Sequence, residues 1–234
     1  MARKSDICVI NVMGVNAMRA FRPERLIKRR GFTLVELIIV IAIIAILAAI
    51  LVPTFLNVAT SSRVASANST AASIKKDVSV FLTNADSDGW GMMKSSANTC
   101  ALLLAVDRNG KWSCTAASAS FSSHPSISWG SAANGIDSDT PRTSLTSGEA
   151  LLCARLSANY PQLKSASVMV SFLNGECAAA AFSKDAGGTQ LSAGTDYPAL
   201  SGGAFPENFS WNNNTQGVTS TGIIVGTAPA VALA

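Results

Sequence analysis

The sequence has few of the residues from which catalytic and metal sites are usually built. It has a single histidine, His124, and no two cysteines separated by two residues. Because zinc sites usually combine several cysteine and histidine ligands, we predict no metal site and no cofactor. The sequence also lacks a Gly-x-Ser-x-Gly elbow and an evident pair of catalytic acids. We therefore do not expect an enzyme.

Charged residues are scarce, at 14% of the chain, and they are unevenly distributed. Residues 1–31 hold eight Lys or Arg side chains and only Asp6 and Glu24 as acids, a net charge of +6. Residues 32–234 hold ten basic and twelve acidic side chains, a net charge of −2. A nucleic-acid site requires a basic face on the domain itself, so none is predicted after residue 31.

Residues 32–56 form an apolar run of membrane-spanning length. As a helix the run would extend about 37 Å, compared with about 30 Å for the hydrocarbon core of a bilayer. Its only ionisable side chain is Glu36. Positive charge ahead of an apolar run favours the cytoplasmic side, so we predict an N-terminus inside and the rest of the chain outside. A secretory signal would be cleaved after its apolar run, whereas Gly31 precedes this one.

The junction between the basic segment and the apolar run carries a family resemblance. Residues 30–37, Arg-Gly-Phe-Thr-Leu-Val-Glu-Leu, resemble the class III signal of type IV prepilins and pseudopilins, and the resemblance extends over about residues 25–82. It implies that a membrane prepilin peptidase cuts between Gly31 and Phe32 and methylates the new N-terminus at Phe32. The leader is longer than is usual in this family, which leaves two explanations open: a different subtype, or a true start at Met13 or Met18.

Glu36 is an acid in a position where an acid is costly. Insertion scales give about 2.5 to 3.5 kcal/mol for a charge at mid-bilayer, and less near the interface. Two interpretations remain open. Glu36 is either an interfacial acid that reaches headgroup water or, as the resemblance implies, the partner of the Phe32 ammonium in a neighbouring subunit. The second role would set the axial register of a filament.

The helical pattern continues beyond the apolar run. Pro53 removes one helical hydrogen bond, which predicts a kink or a locally melted turn there. Beyond it, apolar residues recur at spacings of three and four, which predicts that the helix resumes with one buried face and continues to about Leu82. These residues are Val64, Ala67, Ala71, Ile74, Val78 and Phe81. Residues 84–91 are rich in Asp and Gly and are predicted to end the helix.

The chain is therefore predicted to have four segments. Residues 1–31 are a cytoplasmic leader that is removed, and residues 32–56 are a transmembrane helix that becomes a filament core. Residues 57–91 are the amphipathic continuation of that helix with its terminating loop, and residues 92–234 are a soluble, β-rich head. The head has a normal size for a single core.

Local signals in the head predict several elements. Residues 165–173 and 176–182 are predicted to pair as a hairpin around Asn174-Gly175, since that dipeptide suits a type I′ turn. Ser147 is predicted to cap a helix that ends near Asn159. The remaining predictions are a turn over Asp107–Trp112, with a strand starting at Trp112, and a last strand over Thr219–Val225. The architecture that fits is α+β and pilin-like, with an antiparallel sheet on the long helix.

Four cysteines remain after the leader, which contains Cys8, is removed. They are Cys100, Cys114, Cys153 and Cys177. All lie in the part predicted to face an oxidising compartment, which favours disulfides, with three possible pairings. The preferred pairing joins Cys100 to Cys114 across a short loop and Cys153 to Cys177.

Tryptophans and glycosylation sequons offer weaker signals. Trp90, Trp112, Trp129 and Trp211 would stack on sugars if they were exposed, but tryptophans of such a domain are more often part of its core. Sequons begin at Asn68, Asn208 and Asn213. Because the signal indicates a bacterial or archaeal cell, these short motifs carry little weight.

The resemblance implies a structural subunit of a type IV pilus that acts in adhesion, motility or DNA uptake. Its implied partners are prepilin peptidase, other pilin subunits including minor pilins, the membrane before assembly, and an assembly platform with its ATPase. Its implied location is the cell membrane first and an extracellular pilus afterwards. The alternatives are a pseudopilin of a type II secretion or competence machine and, with less support, a signal-anchored surface carbohydrate-binding protein.

Overall fold

The computed structural model describes residues 31–89, 99–115, 128–212 and 215–234. The leader up to Arg30, including Cys8, lies outside the described residues, as do Trp90, His124, Asn213 and the side chain of Cys100. The chain divides into two compact units, one that ends at Ile50 and one over Leu51–Ala234.

The first helix, α1, covers Leu34–Ser87 and includes Pro53. The helix continues through this proline, so the predicted locally melted turn is not present. It also extends beyond the predicted end at Leu82, because Leu82 and Ala85 continue the buried stripe. The chain leaves the helix at Asp88-Gly89, where Gly89 adopts a φ of +78°. This left-handed conformation is a common helix ending and is one that glycine tolerates best.

One face of α1 is buried in the second unit, as the sequence periodicity predicted. The buried side chains include all six residues of the predicted stripe, from Val64 to Phe81. Those from Ala67 to Leu82 share a hydrophobic core with a second helix, α2, which covers Gly148–Asn159, and with residues of the sheet. Burial of such a stripe is the main source of stability for an amphipathic helix.

The head contains a six-stranded antiparallel sheet. In chain order its strands are β1 (Thr99–Val106), β2 (Trp112–Cys114), β3 (Ala133–Ile136), β4 (Ala166–Leu173), β5 (Glu176–Ser183) and β7 (Gly226–Ala228). They are arranged in the order β3-β2-β1-β4-β5-β7. Two short strands, β6 (Asn208–Phe209) and β8 (Ala232–Leu233), pair in parallel as a separate sheet. The predicted α+β, pilin-like fold is confirmed.

Three local predictions in the head are confirmed. Asn174 and Gly175 both have positive φ angles, 51° and 85°, as a type I′ turn between β4 and β5 requires. The Ser147 hydroxyl accepts a hydrogen bond from the Ala150 amide at 3.2 Å and so caps α2. The Asp107 carboxylate accepts bonds from the amides of Asn109 and Lys111, at 2.7 and 2.9 Å, which fixes the turn before β2.

The prediction of a last strand over Thr219–Val225 is wrong. These residues form a turn in which Gly222, at a φ of +79°, donates its amide to the Thr219 carbonyl at 2.9 Å. The Thr219 hydroxyl also accepts a bond from the Ile223 amide at 3.3 Å. Threonine hydroxyls that bond to a nearby backbone favour turns over strands. The strand β7 begins just after this segment.

The sheet is covered on both faces. One face packs against α1 and α2, and the opposite face packs against a second core built largely from residues 186–231. Along β4 the two faces alternate, since Val168 and Val170 belong to the helix-facing core and Met169 belongs to the second core. This explains why nearly all of β4 is buried, as expected for a central strand covered on both sides.

The helix and β7 approach each other very closely. A Cβ added at Gly226 would lie 2.0 Å from the backbone carbon of Ala67. One position further on, the Thr227 amide donates a hydrogen bond to the Asn68 side-chain oxygen at 2.8 Å. The first sequon asparagine is therefore partly buried and holds β7 against α1.

The three described tryptophans are structural. Trp112 and Trp211 are buried, and Trp129 is partly buried against the helix-facing core. Trp129 meets Phe81 edge-on, with ring centroids 6.0 Å apart, and a Cβ at Gly148 would lie 2.1 Å from the indole. This confirms the interpretation of these tryptophans as core residues.

Candidate processing and assembly site

The predicted scissile bond lies on an exposed segment ahead of α1. Residues 31–33 are not helical, and among the described residues no atom would lie within 4 Å of a Cβ added at Gly31. Phe32 is 87% exposed. The Gly31–Phe32 peptide bond therefore lies outside α1, and its cleavage does not require the helix to unwind.

Glu36 and Thr33 form a reciprocal cap at the start of α1. The Thr33 hydroxyl accepts a hydrogen bond from the Glu36 amide at 3.2 Å. In return, Oε2 of Glu36 accepts bonds from the Thr33 amide and the Thr33 hydroxyl, both at 2.8 Å. This is a capping box, which satisfies amide groups that a helix leaves without partners at its N-terminus.

Thr33 is a residue that the sequence reasoning missed. Its signal was present, since a threonine followed three residues later by glutamate, directly before an apolar run, is the sequence pattern of a capping box. Both bonds to the Glu36 side chain end on Oε2, and among the described residues Oε1 receives none. The carboxylate can therefore cap its own helix and still offer an oxygen to another partner.

The segment after the cap is apolar and exposed. Every large side chain from Leu37 to Val52 is roughly half or more exposed, and an 18-residue window of α1 has a mean hydropathy of 3.3. Among the described residues, α1 is the one helix long and apolar enough to cross a membrane. Exposed apolar surface of this extent requires either lipid or other protein around it.

The sheet register separates Cys100 from Cys114, the first pair of the preferred pairing. Cys114 lies opposite Leu104 in the register of β1 and β2, four residues along β1 from Cys100. That offset corresponds to about 13 Å along the strand, and disulfide Cα atoms are rarely more than about 7 Å apart. This backbone does not allow the Cys100–Cys114 pairing. Cys114, Cys153 and Cys177 are buried free thiols.

The described residues contain no group of three or more His, Cys, Asp and Glu side chains placed to hold a metal ion. They do place one buried acid near the cysteines of the head. Glu149, in the first turn of α2, is fully buried, and its Oε1 accepts a bond from the Gly130 amide at 2.6 Å. The bond fixes the chain just before β3.

Comparison with known proteins places the N-terminus in a recognised class. The family described as the prokaryotic N-terminal methylation motif matches residues 26–52. This motif is the class III signal peptide of type IV pilin-like proteins. Together with the α+β head, it supports a type IV pilin-like or pseudopilin protein. No curated protein and no solved structure matches the chain.

The match has two consequences for partners and location. The motif implies processing by a prepilin peptidase and assembly with other pilin subunits. The apolar helix and the motif together fit a membrane-anchored precursor that is later assembled into a pilus. Proteins that carry this motif are typically structural rather than enzymatic.

Proposed function

We propose that this chain is the precursor of a structural subunit of a type IV pilus. The observation that carries the proposal is the methylation motif over residues 26–52, which joins a basic leader to an apolar helix that starts with a capped glutamate. The precursor would lie in the membrane with its leader in the cytoplasm and its head outside, as the charge distribution favours.

Cleavage at Gly31–Phe32 changes the charge at the start of the helix. It removes residues 1–31, which carry eight basic and two acidic side chains, and creates an N-terminal ammonium on Phe32. Thr33 keeps its amide, because the Phe32–Thr33 peptide bond is not cut. The cap on α1 would therefore survive processing, and the mature chain would gain a cation one residue ahead of it.

Glu36 would then pair with the Phe32 ammonium of a neighbouring subunit. The two opposite charges would meet among apolar helices, where solvent screening is weak and an unpaired charge is costly. Oε1 of Glu36, which receives no hydrogen bond from the part of the chain that the structure describes, suits this second partner. An assembly platform driven by a cytoplasmic ATPase would add such subunits to the base of a filament, and Pro53 would allow the packed helices to bend.

Three variants separate capping from charge pairing. Glu36→Gln keeps a side chain that can complete a capping box but removes its charge. Thr33→Ala removes the two bonds of the Thr33 hydroxyl and keeps the charge. Glu36→Ala removes the charge together with the two bonds that the carboxylate accepts. We expect all three precursors to insert and to be cleaved, and we expect filaments from Thr33→Ala but not from either Glu36 variant. Electron microscopy and the amount of protein sheared from cells measure the outcome. Normal filaments from Glu36→Gln would contradict the charge pairing.

Intact-mass and N-terminal analysis of surface-sheared protein tests the function itself. We expect a mature chain that begins at Phe32, is heavier by one methyl group, and is abundant in filaments. The same processed chain confined to the cell envelope would instead indicate a pseudopilin of a secretion or competence machine. An uncut N-terminus would contradict both.

A further inference from the structure

Two cysteine thiols meet inside the head. Cys114 is the last residue of β2, and Cys153 lies on α2, which packs against β2. The side chains of Cys114 and Cys153 interact with each other. Both residues belong to the helix-facing core, with exposed fractions of 4% and 0%. The folded chain thus brings together two thiols that are 39 positions apart in sequence.

The electrostatics of the pair agree with direct contact. The hydrogen bond from Cys153 lowers the pKa of the Cys114 thiol below its ordinary value. The same bond, together with burial, raises the pKa of Cys153 well above the ordinary value. In both cases the neighbouring thiol is the largest cause of the shift in pKa.

The sheet register separates Cys114 from Cys100 and Cys177, the two other cysteines on strands of the head. Cys177 lies on β5, which is separated from β2 by β1 and β4. Three strand spacings correspond to about 14 Å, twice the largest usual Cα separation of a disulfide. Cys100 is excluded by its offset along β1. It is also two strands from Cys177, because both lie opposite Phe172 on either side of β4.

We propose that Cys114 and Cys153 form a disulfide bond that joins β2 to α2 in the exported head. The proposal rests on the proposed function in one respect, since the head must leave the reducing cytoplasm. The reaction requires a protein disulfide as oxidant. The thiolate of one of the two cysteines attacks that disulfide and forms a mixed disulfide, and the thiolate of the other then displaces the oxidant. The two thiols lose two protons and two electrons, and the oxidant is released as a dithiol.

Burial determines when the bond forms and how long it lasts. An oxidant cannot reach the thiols of two residues that are 4% and 0% exposed, so the exchange precedes the final packing of α2 on β2. For the same reason a reductant cannot reach the bond in the folded head. The bond should resist a mild reductant under native conditions and become reducible when the protein is unfolded.

Differential alkylation of the full-length mature protein recovered from cells tests the proposal. The protein is unfolded in iodoacetamide with or without prior reduction and is then mapped by peptide mass. Without reduction we expect Cys114 and Cys153 to remain unalkylated in a linked peptide pair that is lighter by two hydrogen atoms than its separate thiols. With reduction, both should be alkylated. Alkylation of both without reduction, or a link from either to Cys100 or Cys177, would overturn the proposal.

Two variants and one stability measurement complete the test. Cys177→Ala should keep the linked pair, whereas Cys114→Ala should leave Cys153 open to alkylation. Protein that is reduced while unfolded and then refolded should have a Tm lower by about 10 °C, because the closed loop no longer restricts the unfolded chain. The N-terminus is read from the same sample. Free thiols on a chain that begins at Phe32 would contradict the disulfide alone, and an uncut chain with linked thiols would contradict the processing alone.

Discussion

The Tyr160 hydroxyl donates a hydrogen bond of 2.7 Å to the Asp77 carboxylate. Tyr160 is the C-terminal cap of α2 and Asp77 lies on α1, so this bond joins the two helices on one face of the sheet. Burial raises the pKa of Tyr160 above its ordinary value, and the bond to Asp77 raises it further. The phenol therefore remains a donor throughout the physiological pH range.

Replacing the phenol tests this connection. Tyr160→Phe removes the donor and leaves the ring, so we expect the free energy of unfolding to fall by about 1 to 2 kcal/mol. Denaturant titration of the head measures the change. A double-mutant cycle with Asp77→Ala should give a coupling energy of about 1 kcal/mol between the two residues. Strictly additive losses would show that the bond contributes nothing to stability.

Gly226 tests the close approach of β7 to α1. Because an added Cβ would lie 2.0 Å from the Ala67 backbone, Gly226→Ala must push the helix and strand apart. We expect a loss of about 3 kcal/mol in unfolding free energy. Gly135→Ala is the control, since Gly135 lies on an edge strand with no atom within 4 Å of the added Cβ. At a φ of +70° a side chain is strained, so we expect Gly135→Ala to cost only this strain, about 1 to 2 kcal/mol. Equal losses would contradict the steric explanation.

The Cys177 thiol should be protected chemically as well as sterically. Burial raises its pKa to about 12, and Lys75 offsets only part of that effect. The unfolded thiol ionises near pH 8.5. Between pH 8.5 and pH 12 the Cys177 thiol is therefore protonated in the folded state and ionised in the unfolded state. The stability that comes from this difference in pKa is fully present below about pH 8.5. It is lost as the pH rises towards 12. At pH 8 we expect iodoacetamide to alkylate Cys177 only after unfolding. Rapid alkylation of the native head would contradict this prediction.

Asp107 should contribute to stability in the opposite pH direction. The hydrogen bond from the Lys111 backbone amide is the main cause that lowers the pKa of this carboxyl. The backbone amides of Asn109 and Gly110 make smaller contributions. The contribution is present above the ordinary pKa of about 3.9 and is lost as the pH falls through the lower folded value. Asp107→Asn should reduce the acid-induced fall in Tm, measured between neutral and acidic pH. Asp139→Asn is the control, and an identical acid response in both variants would contradict the assignment.

The sequence predicted two kinds of element well. One is a helix whose apolar residues recur at helical spacing, and the other is a turn whose conformation is set by a specific dipeptide. The spacing from Val64 to Phe81 matches one helical face, and Asn174-Gly175 adopts the positive φ angles that its hairpin requires. These features depend on neighbouring residues in the chain. The α1 helix extends beyond its predicted end because Leu82 and Ala85 continue its buried face.

Other features depend on contacts that sequence distance hides. The pairing of β7 with β5 brings together residues more than 40 positions apart, and the threonines before β7 gave a misleading strand signal. The meeting of Cys114 with Cys153 likewise requires the placement of α2 on β2, which no local pattern encodes. At the processing site the sequence shows the cleavage motif directly, whereas the reciprocal bonds between Thr33 and Glu36 are visible only in the structure.

The coverage of the sheet on both sides limits what an outside molecule can recognise on this head. The helices occupy one face of the sheet and the second core occupies the other. A molecule that binds this head would therefore contact turns and strand edges among the described residues, not a flat face of the sheet. Those positions accept substitution more readily than a packed core, so the head could change its antigenic identity while its interior stays the same.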